Sequence, residues 1–144
     1  MAATGNNAAR RGKTVPEILG LAFGAVYLLV GIVGFFITGF DDFFAHDTNE
    51  TLLWFEINGM HNVVHIVIGV AGLALSNTLA GARTYGWLLA VGYGAAFVYG
   101  LIAIGETWDF LSINAADNVL HIATALVGLV IALLPVRNAV DSRH

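Results

Sequence analysis

His61 and His65 stand four residues apart, and 56 residues further along Asp117 and His121 repeat the interval. On a helix such pairs share one face. Two imidazoles at that spacing are able to hold one ion, and a facing carboxylate and imidazole would complete a nitrogen and oxygen set. His61, His65, Asp117 and His121 are therefore candidate ligands for zinc or another divalent first-row metal. A b-type haem held between His65 and His121 is a variant of that chemistry. The third possibility needs no ligand. Imidazole, amide and carboxylate groups hydrogen-bond across helices and fix their register. Asn58, Asn62, Glu106, Asn114 and Asn118 extend such a network, with Tyr27, Tyr93 and Tyr99 as hydroxyl donors. The expectation is a buried polar network in a structural or accessory protein. The alternatives are metal binding, or a small transporter or membrane enzyme; no catalytic residue is assigned, and an enzyme is the less favoured outcome.

The elements that position these side chains follow from composition. The chain has 144 residues, of which 58% are apolar and 11% charged, against about 25% charged in typical soluble domains. Mean hydropathy is +0.78. A small soluble domain needs polar groups to cover its large surface, and six basic with ten acidic residues do not supply them. Apolar stretches at residues 17–38, 59–79, 85–105 and 116–136 are each long enough to cross a hydrocarbon layer of about 30 Å as a helix. The first is read as a retained span, since it is longer than the apolar core of a secretory signal. The fold expected is all-α, a four-helix transmembrane bundle, with the lipid bilayer as its main partner. Six basic residues leave no stripe for nucleic acid, and zero cysteines exclude disulfides and thiolate sites.

Charge placement orients the bundle. Arg10, Arg11 and Lys13 precede the first span, Arg83 lies between the second and third, and Arg137 and Arg143 follow the fourth. The other two loops carry Asp41, Asp42, Asp47, Glu50, Glu56, Glu106 and Asp109 and no basic residue. The positive-inside rule then places both termini in the cytoplasm. Residues 1–15 are expected to be a flexible cytoplasmic N-terminus, 16–136 the membrane domain and 137–144 a cytoplasmic tail. In the outward loop, residues 52–55 look like an interfacial stretch or part of an irregular lid, and Tyr85 and Trp87 fit the inner aromatic belt.

The second and fourth spans also match each other. INGMHNVVHIVIGVAGL, starting at Ile57, aligns with INAADNVLHIATALVGL, starting at Ile113, sharing both asparagines and a histidine. The first and third spans match more faintly through Tyr27/Tyr93, Gly34/Gly100 and Gly39/Gly105. The halves, about 17–79 and 85–136, are expected to be two similar hairpins in a parallel internal repeat, which brings His65 and His121 to equal depth. Asn62 and Asn118, about 100° off the histidine face, are expected to meet a neighbouring helix or cap local backbone. Close-spaced glycines allow helices to approach closely, and unused faces suit a homodimer or a larger membrane complex.

The paired motifs H-N-x-x-H at His61–His65 and N-x-A-D-N-x-x-H at Asn114–His121, with Gly69 and Gly72 and the segment ARTYG from Ala82, resemble the domain of unknown function 4383 family. These are small bacterial, mainly actinobacterial, integral membrane proteins. The likeness runs over about 16–134. It implies four helices in a bacterial plasma membrane, no established activity, and family-typical polar residues at His61, Asn62, His65, Asn114, Asp117, Asn118 and His121.

Overall fold

The computed structural model describes residues 12–136. Arg10 and Arg11 of the basic N-terminus and the expected tail at 137–144 lie outside the described residues. The described residues form four helices: α1 (Val15–Thr38), α2 (Gly59–Leu75), α3 (Leu79–Ala103) and α4 (Ala115–Leu133). Two short strands, β1 (Thr51–Leu52) and β2 (Phe55–Glu56), pair antiparallel with Leu52 opposite Phe55. Residues 51–56 of the long loop thus form a small β-hairpin, where an interfacial stretch or part of an irregular lid was expected. Its turn places Leu53 at φ 61° with Trp54 exposed beside it. Helices α1, α3 and α4 are long and apolar enough to cross a membrane. Helix α2, at 17 residues, spans about 25 Å at ~1.5 Å per residue.

Each helix starts at a capping side chain. The Glu17 carboxylate accepts from Thr14 N at 2.7 Å and Thr14 Oγ1 at 2.6 Å, while Pro16 occupies the first turn, where a missing N–H costs nothing. Thr78 caps α3 by accepting from Gly81 N at 3.1 Å. That cap corrects the expected break between the second and third spans. The turn lies at 76–78, because Asn77 and Thr78 satisfy the helix ends, and Leu79, Ala80 and Arg83 already belong to α3.

Helix α1 packs along α2 and α3 along α4, far more extensively than any other pair, giving two helical hairpins. The same contacts recur in both. A Cβ on Gly24 would lie 2.8 Å from Leu73 N, against the backbone of Gly72; Gly128, the repeat equivalent of Gly72, faces Ala90 N at 2.6 Å. Gly20 abuts Ser76 as Gly86 abuts Ala132, and Gly34 abuts the Asn62 side chain as Gly100 abuts that of Asn118. The internal repeat is therefore one of packing as well as of letters. Between the hairpins lies a core of Tyr27, Tyr85, Leu89, Tyr93, Ala125 and Ile131. The outer surface is apolar, with Leu29, Phe36, Val67, Val91, Leu101 and Val119 exposed. Such a surface is stable against lipid and not against water, so the chain is a multi-pass membrane protein.

Candidate functional site

Asn58 and Asn114 precede α2 and α4 as their N-caps. Asn58 Oδ1 accepts from His61 N at 2.8 Å, and Asn114 Oδ1 from Asp117 N at 3.0 Å. Each amide nitrogen then crosses to the other hairpin. Asn58 Nδ2 donates to Phe110 O at 2.8 Å, and also to Ala45 O at 2.9 Å. Asn114 Nδ2 donates to Trp54 O at 2.9 Å. Trp54 and Phe110 are themselves 56 residues apart, so the exchange is reciprocal. Each asparagine satisfies its own helix end and ties that end to the opposite loop.

One turn deeper, five rings close on one another. Centroids are 5.2 Å apart for Tyr27 and His65, 4.6 Å for His65 and His61, and 6.2 Å for His61 and His121. They are 5.5 Å apart for His121 and Tyr93, and 5.2 Å for Tyr93 and Tyr27. Within each hairpin the tyrosine of the odd helix meets the histidine of the even one, again the repeated contact. Tyr27 and Thr124 share a hydrogen bond at 2.6 Å between their hydroxyls. The Nδ1 atoms of His61, His65 and His121 are buried and have no hydrogen-bond partner. Asn62 and Asn118 face the paired helix of their own hairpin. Asn62 Nδ2 donates to Thr38 Oγ1 at 2.9 Å, and each side chain fills the gap left by a glycine on the paired helix.

His61, His65, Asp117 and His121 all turn inward and are buried, yet they do not form the metal set that was the alternative to a polar network. Among the described residues no group of three or more His, Asp or Glu is arranged to hold a metal ion. The reason lies in Asp117, whose Oδ2 accepts from Asn114 N at 3.1 Å and Glu56 N at 3.0 Å. Its carboxylate closes a capping box and anchors strand β2. The imidazoles meanwhile pack against each other and against tyrosine faces. Tyr27, His61 and Tyr93 also occupy the space flanking His65 and His121, the two candidate haem ligands.

Glu106 is exposed in its loop and lies outside the network. The carboxylate that works there is Asp109, 4% exposed, which accepts from Ile113 N at 2.7 Å, Tyr99 Oη at 3.1 Å and Leu111 N at 3.2 Å. In the sequence Asp109 is one acid among several in the outward loops, and nothing in its spacing sets it apart. Tyr85 is another correction. It is buried to 1% exposure against Gly72, so it belongs to the core and not to an interfacial belt. Glu56, on β2, has its carboxyl raised above the ordinary value by partial burial, with the charge of Asp47 adding to the shift.

A family model described as Domain of unknown function (DUF4383) matches residues 17–134. No curated protein and no solved structure matches the chain.

Proposed function

We propose, from the premise that this chain belongs to the DUF4383 family, that it is an accessory or scaffolding subunit of the bacterial plasma membrane. Its polar residues hold two hairpins in register and do not turn over a substrate. The observation that carries this reading is the reciprocal pair of asparagine bonds, Asn58 to Phe110 O and Asn114 to Trp54 O. Polar groups in a membrane segment are costly and usually serve a site or an interface. Here the Asn58 and Asn114 amides are consumed by helix caps and loop carbonyls, and the Asp117 and Asp109 carboxylates by backbone N–H groups and the Tyr99 hydroxyl.

In this reading the two hairpins form a parallel repeat about an axis along the membrane normal. The basic end, marked by Lys13 and Arg83, faces the cytoplasm, as do both termini. Lys13 Nζ donates to Asn77 Oδ1 at 3.4 Å, which supports placing the N-terminal end and the α2–α3 turn on one side. The acidic loops and the polar core then lie near the outer face. Extraction in mild detergent tests the accessory role. Size-exclusion chromatography with light scattering should show the chain in a complex of constant stoichiometry. A homogeneous lone monomer would overturn it.

A further inference from the structure

A cavity of about 370 Å³ lies between α1 and α4 under the β-hairpin. Leu52, Leu53 and Phe55 roof it, Phe23, Val30 and Leu120 wall it, and the exposed Ala22 and Val26 form its rim. Its mouth therefore opens on the lipid-facing surface. At the back stand His65, Thr124, Tyr27 and Asp117. Three of these are already engaged, since Tyr27 and Thr124 bond to each other and Asp117 holds two backbone N–H groups. His65 is not; it is 6% exposed and its Nδ1 has no partner. A smaller cavity of about 140 Å³ sits at the repeat-equivalent place between α2 and α3, and His65 lines that one too. A volume within the usual range for small-molecule sites, apolar walls and one unsatisfied polar group at the end describe a ligand site. A buried imidazole nitrogen without a partner costs free energy that a ligand oxygen would recover.

We infer that the α1–α4 cavity binds a neutral, membrane-soluble molecule whose apolar body ends in a carbonyl or hydroxyl oxygen, bonded to His65. The head is neutral because no Lys or Arg among the described residues lines the cavity to meet an anion, and its apolar walls would leave any charge without solvation. Asp117 Oδ2 is already engaged by two N–H donors, which leaves a cation little to gain. Carbonyl and hydroxyl heads share this chemistry, because the imidazole donates in one tautomer and accepts in the other. The apolar body of the ligand would lie against Tyr27 and Phe55 and pass between Ala22 and Val26 into the bilayer.

The test uses the full chain in lipid nanodiscs, with decylubiquinone and its quinol as the two neutral probes and decanoate and decylamine as charged ones. At least one neutral probe should raise the melting temperature in a saturable way, and the charged ones should not. A photoreactive analogue of that probe should label α1 near 22–30 or α4 near 117–124. His65→Phe keeps the ring packing and removes the hydrogen bond, and should weaken binding about tenfold. Leu120→Trp fills the cavity and should abolish binding, whether or not His65→Phe folds. Absence of saturable binding by both neutral probes would overturn the inference. So would preference for a charged probe, labelling elsewhere, or wild-type affinity in Leu120→Trp.

Discussion

At the residue scale, the two N-cap asparagines do unequal amounts of the same work. Removing the Asn58 amide leaves His61 N, Phe110 O and Ala45 O without their partner, and Asn58 is almost wholly buried. Asn114 is half-buried and leaves Asp117 N and Trp54 O. Asn58→Ala should therefore cost about 2–3 kcal/mol and Asn114→Ala about 1–2 kcal/mol, measured by reversible unfolding in mixed micelles. Asn114→Asp keeps the cap and loses only the bond to Trp54 O, so it should fall between wild type and Asn114→Ala. Glu56 gives a pH dependence. Its folded carboxyl holds a proton more tightly than the unfolded one, so the stability it contributes when protonated is lost as pH rises through the raised value. Glu56→Gln should then melt above wild type at pH 7, and the gap should close as pH falls below the ordinary 4.5. A gap independent of pH would count against it.

At the element scale, the hairpins depend on glycines at particular contacts. Gly24 and Gly128 have facing backbone within 2.8 Å of where a Cβ would stand, whereas Gly92 and Gly94 have nothing within 4 Å. Gly24→Ala and Gly128→Ala should each destabilise by about 1–3 kcal/mol, as overpacking does. Gly92→Ala should be neutral, or stabilising by up to about 1 kcal/mol through lost freedom in the unfolded chain. Equal melting temperatures for Gly24→Ala and Gly92→Ala would show that the backbone contact is not the determinant. Asp109 belongs at this scale as well. It gathers Tyr99 and the start of the next segment, so Asp109→Ala should destabilise as much as Asp117→Ala.

At the scale of the whole molecule, the described charges divide by end. Lys13 precedes α1 and Arg83 lies near the start of α3, while every described acid except the α1 cap Glu17 lies toward the other ends of those helices. Because the chain has no cysteine, single replacements report the orientation cleanly. Asn77→Cys should react with a membrane-impermeant maleimide only from the cytoplasmic side, and Thr107→Cys only from outside. Both reacting from one side would rule out an odd number of spans between them. The reverse labelling would invert the orientation.

Much of this was legible in the letters. The spans follow from apolar runs, because a helix in hydrocarbon must be apolar around most of its circumference. The repeat follows from Asn, His and Gly at constant offsets, and the inward face of His61, His65, Asp117 and His121 follows from their spacing. These are local or periodic properties. What Asp117 does was not among them. Whether a carboxylate takes an ion or two backbone N–H groups depends on where the Glu56 strand lands, 61 residues away. Glu106 and Asp109 are three residues apart in one loop, and only the path of that loop, with Ser112 at φ 51°, turns one out and the other in. The cavity beside His65 was equally beyond the sequence, since an empty space belongs to the packing of four elements and to no single one.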